Sequence, residues 1–193
     1  MPTSDSNIET EVKIAFSGGA SAARGLIEGQ GFPLVHERTL ESDQLFDRPD
    51  EELKRSDQVL RLRRSGERAT VTYKGPALRE QPLERYKRRE EIEFDISDTN
   101  AFETALDRLG YVPGFRYQKY RTKFAVPGET GVVSIDETPI GVFLELEGTP
   151  EWIDRTAARL GLSREEYLTA SYYALYREYR RSHPVASEHM TFD

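Results

Sequence analysis

The sequence contains no cysteine. That excludes structural disulfides and thiolate metal sites, and it fits a reducing compartment. Long apolar runs are missing too, since no stretch approaches the roughly 20 residues that a membrane-spanning helix requires. The opening Met1-Pro2-Thr3-Ser4-Asp5-Ser6 lacks the basic start and apolar core of a secretory signal. The expectation is a soluble, cytoplasmic protein with no membrane partner. Charge of one sign is also absent: the net −7 arises from 34 acids against 27 bases. A generic nucleic-acid binder is more often basic overall, so no nucleic-acid partner is expected. Histidine is scarce, and His36, His183 and His189 read as exposed or incidental rather than catalytic. There is no internal repeat and no low-complexity segment. A chain of 193 residues with 37% hydrophobic content supports one sizeable core. We read a single domain over residues 8–181, with residues 1–7 and 182–193 expected to be disordered.

What the sequence does have is charge in phase. In Ile8-Glu9-Thr10-Glu11-Val12-Lys13-Ile14 the charged residues recur at every second position, and successive strand side chains point to opposite faces. Glu9, Glu11 and Lys13 therefore share one face while Val12 and Ile14 take the other. Ionised carboxylates two residues apart lie about 6.7 Å from each other. At an effective dielectric of about 20 they repel by roughly 2.5 kcal/mol, so a face that collects them needs cations. On its own the stretch also suits a solvated surface strand.

Along the chain the same pattern returns. Ser17-Gly18-Gly19 is a turn, Ser21 to Gln30 a short helix stopped by Gly31, and Phe32 to Phe46 a long strand or two pieces. After Arg48-Pro49-Asp50, the runs Val59 to Arg64 and Thr70 to Lys74 form a hairpin that puts Arg61 and Arg63, then Thr72 and Lys74, in phase. Ala77 to Lys87 reads as a mobile loop. Arg89 to Asp95 places Arg89, Glu91, Glu93 and Asp95 opposite Ile92 and Phe94. Ser97 or Asp98 can cap a helix to Leu109. Arg116 to Val126 aligns Lys119, Arg121 and Lys123. Val132 to Glu137 carries Asp136, and Phe143 to Glu147 carries Glu145 and Glu147. From Pro150 onward the pattern is helical: Trp152 to Leu160, Arg164 to Leu168, and Ser171 to Arg180. The stripe Tyr172, Tyr173, Leu175, Tyr176 and Tyr179 reads as packing.

About eight antiparallel strands of this kind could form an open sheet with a wet charged face. Alternatively they could close into a barrel with a charged interior and helices on its apolar outside. Two features favour closure. Helices with apolar faces at three places in the chain need an apolar sheet surface to cover, and closure leaves no long edge. Moreover, the charged face is dominated by Glu and Arg, where a solvated face would mix in Ser, Thr and Gln. The expected fold class is α+β, an eight-stranded closed antiparallel barrel with outer helices. Buried charge of both signs is costly unless paired or bound to metal, so the interior implies a highly charged ligand. Carboxylates without histidine or cysteine suit Mg²⁺ or Mn²⁺, and Arg and Lys suit phosphate oxygens. A triphosphate is the natural size.

These residues resemble the CYTH superfamily of triphosphate tunnel metalloenzymes, which includes class IV adenylyl cyclases and thiamine triphosphatases. Glu9-Thr10-Glu11-Val12-Lys13 is similar to its ExExK signature. The resemblance continues through Leu60-Arg61-Leu62-Arg63, Thr72-Tyr73-Lys74-Gly75-Pro76, Arg89-Glu90-Glu91-Ile92-Glu93, Asp136, Phe143-Leu144-Glu145-Leu146-Glu147 and Ser171-Tyr172. It implies that Lys13, Arg61, Arg63, Lys74 and Arg121 bind phosphate. It also implies that Glu9, Glu11, Glu91, Glu93, Asp136, Glu145 and Glu147 hold metal or position water. Arg89, Lys119 and Lys123 would be either tunnel contacts or partners of carboxylates. The implied partner is inorganic, nucleoside or thiamine triphosphate; a homodimer is compatible with the sequence.

Hydrolysis and cyclisation differ only in the attacking group. The Thr72–Pro76 hairpin and the length resemble the cyclase branch. The His-Phe pair preceding ExExK in some class IV cyclases is replaced by Asn7-Ile8, however, and the sequence offers no obvious adenine pocket. The reading is a metal-dependent triphosphatase, with cyclisation of ATP as the alternative. A non-catalytic polyphosphate sensor would not require the full acid set.

Overall fold

Alternation of charge and hydrocarbon decides the architecture. The computed structural model describes residues 7–78 and 85–192. Its strands are β1 (Ile8–Phe16), β2 (Leu34–Asp47), β3 (Val59–Ser65), β4 (Arg68–Lys74), β5 (Lys87–Ile96), β6 (Val112–Phe124), β7 (Val132–Thr138) and β8 (Gly141–Glu147). They close into an antiparallel barrel in the order β1-β5-β4-β3-β2-β6-β7-β8. The register sets opposite charges side by side, with Lys13 across from Glu145, Asp43 from Arg63, Lys74 from Glu91 and Arg121 from Asp136. Those side chains face inward. On the outward face Val12, Ile14, Leu62, Leu144 and Leu146 are completely buried.

The helices supply that burial. α1 (Gly19–Gly29) and α4 (Pro150–Arg159) cover β1, β7 and β8, where Ile27, Trp152 and Ile153 join the strand residues in one core. Thr149 caps α4 by accepting from Trp152 N at 3.2 Å. The Trp152 ring lies so close to Gly131 that an added Cβ would stand 2.2 Å from it. α3 (Thr99–Arg108), capped by Asp98, sets Leu106 and Phe102 against Phe46, Leu62 and Val71. α5 (Tyr172–Ser182), capped by Ser171, lies at one barrel end, where Tyr172 and Tyr176 pack with the inward-facing Tyr117 and Phe143. None of the described helices is long and apolar enough to cross a membrane.

Several details differ from the sequence reading. A short helix, α2 (Glu52–Arg55), was not anticipated. It follows β2 because the Asp47 carboxylate accepts from the backbone N–H groups of Arg48, Leu53 and Lys54. Glu51, just before it, and Asp57, two residues beyond its end, are left-handed at φ 58° and 53°. Over Arg164–Leu168 only Arg164–Glu166 is helical, as a 3₁₀ turn, because Leu168 pairs its backbone with Lys13. The expected loop at Ala77–Lys87 ends sooner: Tyr86 is buried, its hydroxyl donating to Asp154 at 2.7 Å, and Lys87 already belongs to β5. The rest of that expectation, over residues 79–84, lies outside the described residues, as do residues 1–6 and 193. On β5, Ile92 and Phe94 face outward but stay 43% and 51% exposed, so helix cover stops short of this section. The tail beyond Ser182 is not loose. Met190 is fully buried and exchanges backbone hydrogen bonds with Arg116 and Gln118, while the Tyr176 hydroxyl donates to the Ser187 carbonyl at 2.8 Å.

Candidate active site

A cavity of about 770 Å³ occupies the barrel interior, and its wall divides by charge. One part is base-rich. β3 contributes Arg61 and Arg63, and β6 contributes Lys119, Arg121 and Lys123. Their counter-ions come from β2 and β7. Arg63 donates to Asp43 at 2.8 Å and lies 3.1 Å from Glu41, and Lys119 donates to Asp136 at 2.8 Å. Burial alone would raise the Glu41 carboxyl, yet Arg121, Lys119 and Arg63 pull it down to about 2. Burial combines with the Arg121 guanidinium to lower Lys123. Asp136 is fully enclosed, accepting from Arg121, Lys119 and the Tyr172 hydroxyl.

The other part is acid-rich and belongs to β1, β5 and β8, with Lys74 from β4. Glu11 accepts from Lys13 at 3.0 Å and from Lys87 at 2.6 Å. Against the upward push of burial, these two cations hold its carboxyl well below the ordinary range. Glu145 bonds Arg121 and lies 3.2 Å from Lys13. Lys74 bridges Glu9 and Glu91. Even so, burial and the Glu9 carboxylate leave Glu91 raised to about 7 despite Lys74. Glu147 is also raised, by partial burial and then by Glu9 and Glu11. Glu93 accepts from the Thr72 hydroxyl at 3.0 Å and is half exposed.

One buried guanidinium nitrogen, Arg89 Nε, has no hydrogen-bond acceptor, and Arg61 Nε has only a loose ion pair with Asp43 Oδ1 at 3.4 Å, although both residues line the cavity. An unpaired buried charged donor is expensive. Donors left open on this wall suit an anion with several oxygens. At the acid-rich end the question is whether Mg²⁺ or Mn²⁺ fits. Among the described residues no three or more carboxylate or imidazole groups converge as a ready metal cage. The donor set is nevertheless all oxygen, with Glu91 raised by burial and the Glu9 carboxylate, and Glu147 by burial and then Glu9 and Glu11. A hard cation that keeps much of its water and shares phosphate oxygens with one or two carboxylates fits such a set.

The barrel therefore brings together Glu9, Glu11, Lys13, Arg61, Arg63, Lys74, Arg89, Glu91, Glu93, Lys119, Arg121, Lys123, Glu145 and Glu147 around one cavity. Asp136 stands behind that lining as a brace. Sequence reasoning missed Glu41 and Asp43, although they are two apart on β2 and show the same in-phase signal. It also missed Lys87, hidden in the expected loop, and the hydrogen bond to Asp136 from Tyr172, whose helical spacing reads as packing. None of the three histidines lines the cavity. His189 Nδ1 instead accepts from Arg116 N at 3.2 Å.

The CYTH domain matches residues 7–172. The chain belongs to the CYTH family. A relative from Methanocaldococcus jannaschii, "Putative adenylate cyclase MJ0240", is 30% identical over 143 residues, covering 72% of this chain and 76% of its own. Among solved structures, the PH1819 protein of Pyrococcus horikoshii OT3 superposes with a TM-score of 0.73 at 25% identity, covering 89% of this CYTH chain and 99% of its own. "Putative adenylyl cyclase HpAC1" from Hippeastrum, described as revealing a dominant triphosphatase activity, shares the fold with a TM-score of 0.62 at 18% identity, over 89% and 95% of the two chains.

Proposed function

We propose that this CYTH protein is a metal-dependent triphosphatase that holds its substrate's triphosphate inside the barrel. The observation that carries the reading is the run of bases lining the cavity, in which Arg89 Nε is buried without an acceptor and Arg61 Nε has only a loose ion pair with Asp43 at 3.4 Å. Arg61, Arg63, Lys74, Lys13 and Arg121 bind the phosphate oxygens and hold the chain in line. Glu9, Glu91 and Glu147, with Glu11 and Glu93 beside them, would hold Mg²⁺ or Mn²⁺. The bound cation supplies charge neutralisation on the phosphoryl group and acidifies the attacking nucleophile. Glu11 and Glu145 stay ionised between Lys13, Lys87 and Arg121, and so keep those cations oriented. Water attacks phosphorus, the bond to the bridging oxygen breaks, and phosphate or diphosphate leaves.

Cyclisation is the second reading, favoured by the name of the Methanocaldococcus jannaschii relative. There a ribose 3′-hydroxyl replaces water and pyrophosphate leaves. Incubating the pure protein with inorganic triphosphate, thiamine triphosphate and ATP, with each metal, and identifying every product separates the two. Arg61→Ala is expected to abolish binding of inorganic triphosphate in calorimetry; unaltered affinity would rule the tunnel out. Glu11→Gln is expected to remove metal-supported turnover, and unchanged turnover with both metals would overturn the metal assignment.

A further inference from the structure

Two lysines of the tunnel share a partner that carries no charge. The Lys13 ammonium lies 3.0 Å from Glu11 and 3.2 Å from Glu145, and that of Lys119 lies 2.8 Å from Asp136. Both ammoniums also stand over the ring of Tyr172, at 5.4 and 5.1 Å from its centroid. Lys13 belongs to β1, Lys119 to β6, and Tyr172 opens α5. One ring therefore serves two strands that are not neighbours in the barrel.

That ring has little freedom. Tyr172 is buried, its hydroxyl donates to Asp136 at 2.7 Å, and the Phe143 ring meets it edge-on at 5.6 Å. The segment that delivers it is tied to one of the same lysines, because Leu168, just ahead of α5, exchanges backbone hydrogen bonds of 2.8 and 3.0 Å with Lys13. Ser171 then starts the helix by accepting from Ala174 N at 3.2 Å. An ammonium over an aromatic face is attracted by the ring quadrupole without being neutralised. Carboxylate partners compete with phosphate oxygens for a lysine, whereas the contact with the ring persists beside an incoming anion. Tyr172 thus holds two cations at the cavity wall while their charge stays available to a ligand.

We propose that Tyr172 is a positioning residue whose ring orients Lys13 and Lys119 towards bound phosphate, a role that rests on the triphosphate reading of the tunnel. Two measurements on the full chain test it. In carbon-13 spectra of lysine-labelled protein, the ε-methylene protons of Lys13 and Lys119, assigned with Lys13→Arg and Lys119→Arg, should lie upfield of the other lysines through the ring current. Tyr172→Phe should keep that displacement and Tyr172→Leu should abolish it. In calorimetry, Tyr172→Leu should weaken inorganic triphosphate about tenfold, and Tyr172→Phe should stay within about twofold. Tyr176→Leu, a like loss from the same apolar cluster at a residue that does not line the cavity, should also stay within about twofold, which separates positioning from a merely loosened helix. Lysine signals without displacement in the unaltered protein overturn the proposal even where Tyr172→Leu does not fold. Equal losses of affinity in Tyr172→Leu and Tyr176→Leu overturn it too, as does a loss in Tyr172→Phe as large as in Tyr172→Leu, which would assign the effect to the hydroxyl. If the unaltered protein does not bind inorganic triphosphate, the tunnel reading falls, while the spectrum still decides the ring contacts.

Discussion

Arg121 on β6 and Asp136 on β7 stand directly opposite one another in the barrel register, joined by Nε to Oδ1 at 2.6 Å and Nη2 to Oδ2 at 2.5 Å. Lys119 and Tyr172 close on the same carboxylate at 2.8 and 2.7 Å. One fully buried acid therefore fixes two cations of the tunnel and the first residue of α5. Asp136→Ala leaves both cations buried without it, a loss that costs about 3–5 kcal/mol when one partner of a buried pair is removed. Urea unfolding should report that loss, while Asp136→Asn, which retains an acceptor for Tyr172, should lose less.

Glu91 gives the site a pH dependence. Its carboxyl lies near 7 in the fold because of burial and Glu9, with Lys74 and Arg61 opposing; the unfolded value is about 4.3. Between these limits the folded state holds the proton more tightly. This carboxyl's contribution to stability is therefore full below about 4.3 and falls as pH rises to about 7. Binding of Mg²⁺ without substrate should strengthen over the same window, because the cation replaces that proton. Carbon-detected titration of the glutamate carboxyls, with and without Mg²⁺, should find one group near 7 that the metal moves down.

Glu41 works in the opposite sense. Drawn down to about 2 by Arg121, Lys119 and Arg63 against the push of burial, it contributes stability above about 4.3. That contribution is lost as pH falls towards 2. Glu41→Gln should remove this part of the acid sensitivity, measured as a smaller drop in melting temperature between pH 5 and pH 3.

The tail is a structural element. Met190 is fully buried beside Tyr117, while Val185 is 98% exposed. Met190→Ala should cost about 2–5 kcal/mol, and Val185→Ala should stay within about 0.5 kcal/mol. Equal effects in chemical denaturation would mean that the segment does not pack on β6.

Gly131 bears on the outer core. With a Cβ 2.2 Å from the Trp152 ring, Gly131→Ala forces the indole from its seat at about 1–3 kcal/mol. A lowered melting temperature with unchanged affinity for inorganic triphosphate is expected, since Trp152 lies on the apolar side of the barrel wall.

Much of this protein was legible along the chain because a strand writes its two faces at a period of two. Glu9, Glu11 and Lys13, then Arg61 and Arg63, then Lys119, Arg121 and Lys123 announced a shared charged face before any fold was known. The same period in Glu41 and Asp43 went unread, since the long strand containing them was not assigned a phase. Closure of eight such strands could be argued from what open edges cost, and the barrel is closed.

Periodicity by itself determined that the strands share one charged face and one apolar face, because each strand's alternation is a local property of extended backbone. Only the tertiary structure decided which charges meet. Arg121 finds Asp136 and Glu145 on two different strands, Lys74 bridges Glu9 and Glu91, and Tyr172 arrives from a helix far along the chain to hold Asp136. Pairing across a barrel depends on register and on which strands become neighbours, and neither is written in any one segment. The donors that this pairing leaves short, Arg89 Nε with no acceptor and Arg61 Nε 3.4 Å from Asp43, exist only once every other partner has been chosen.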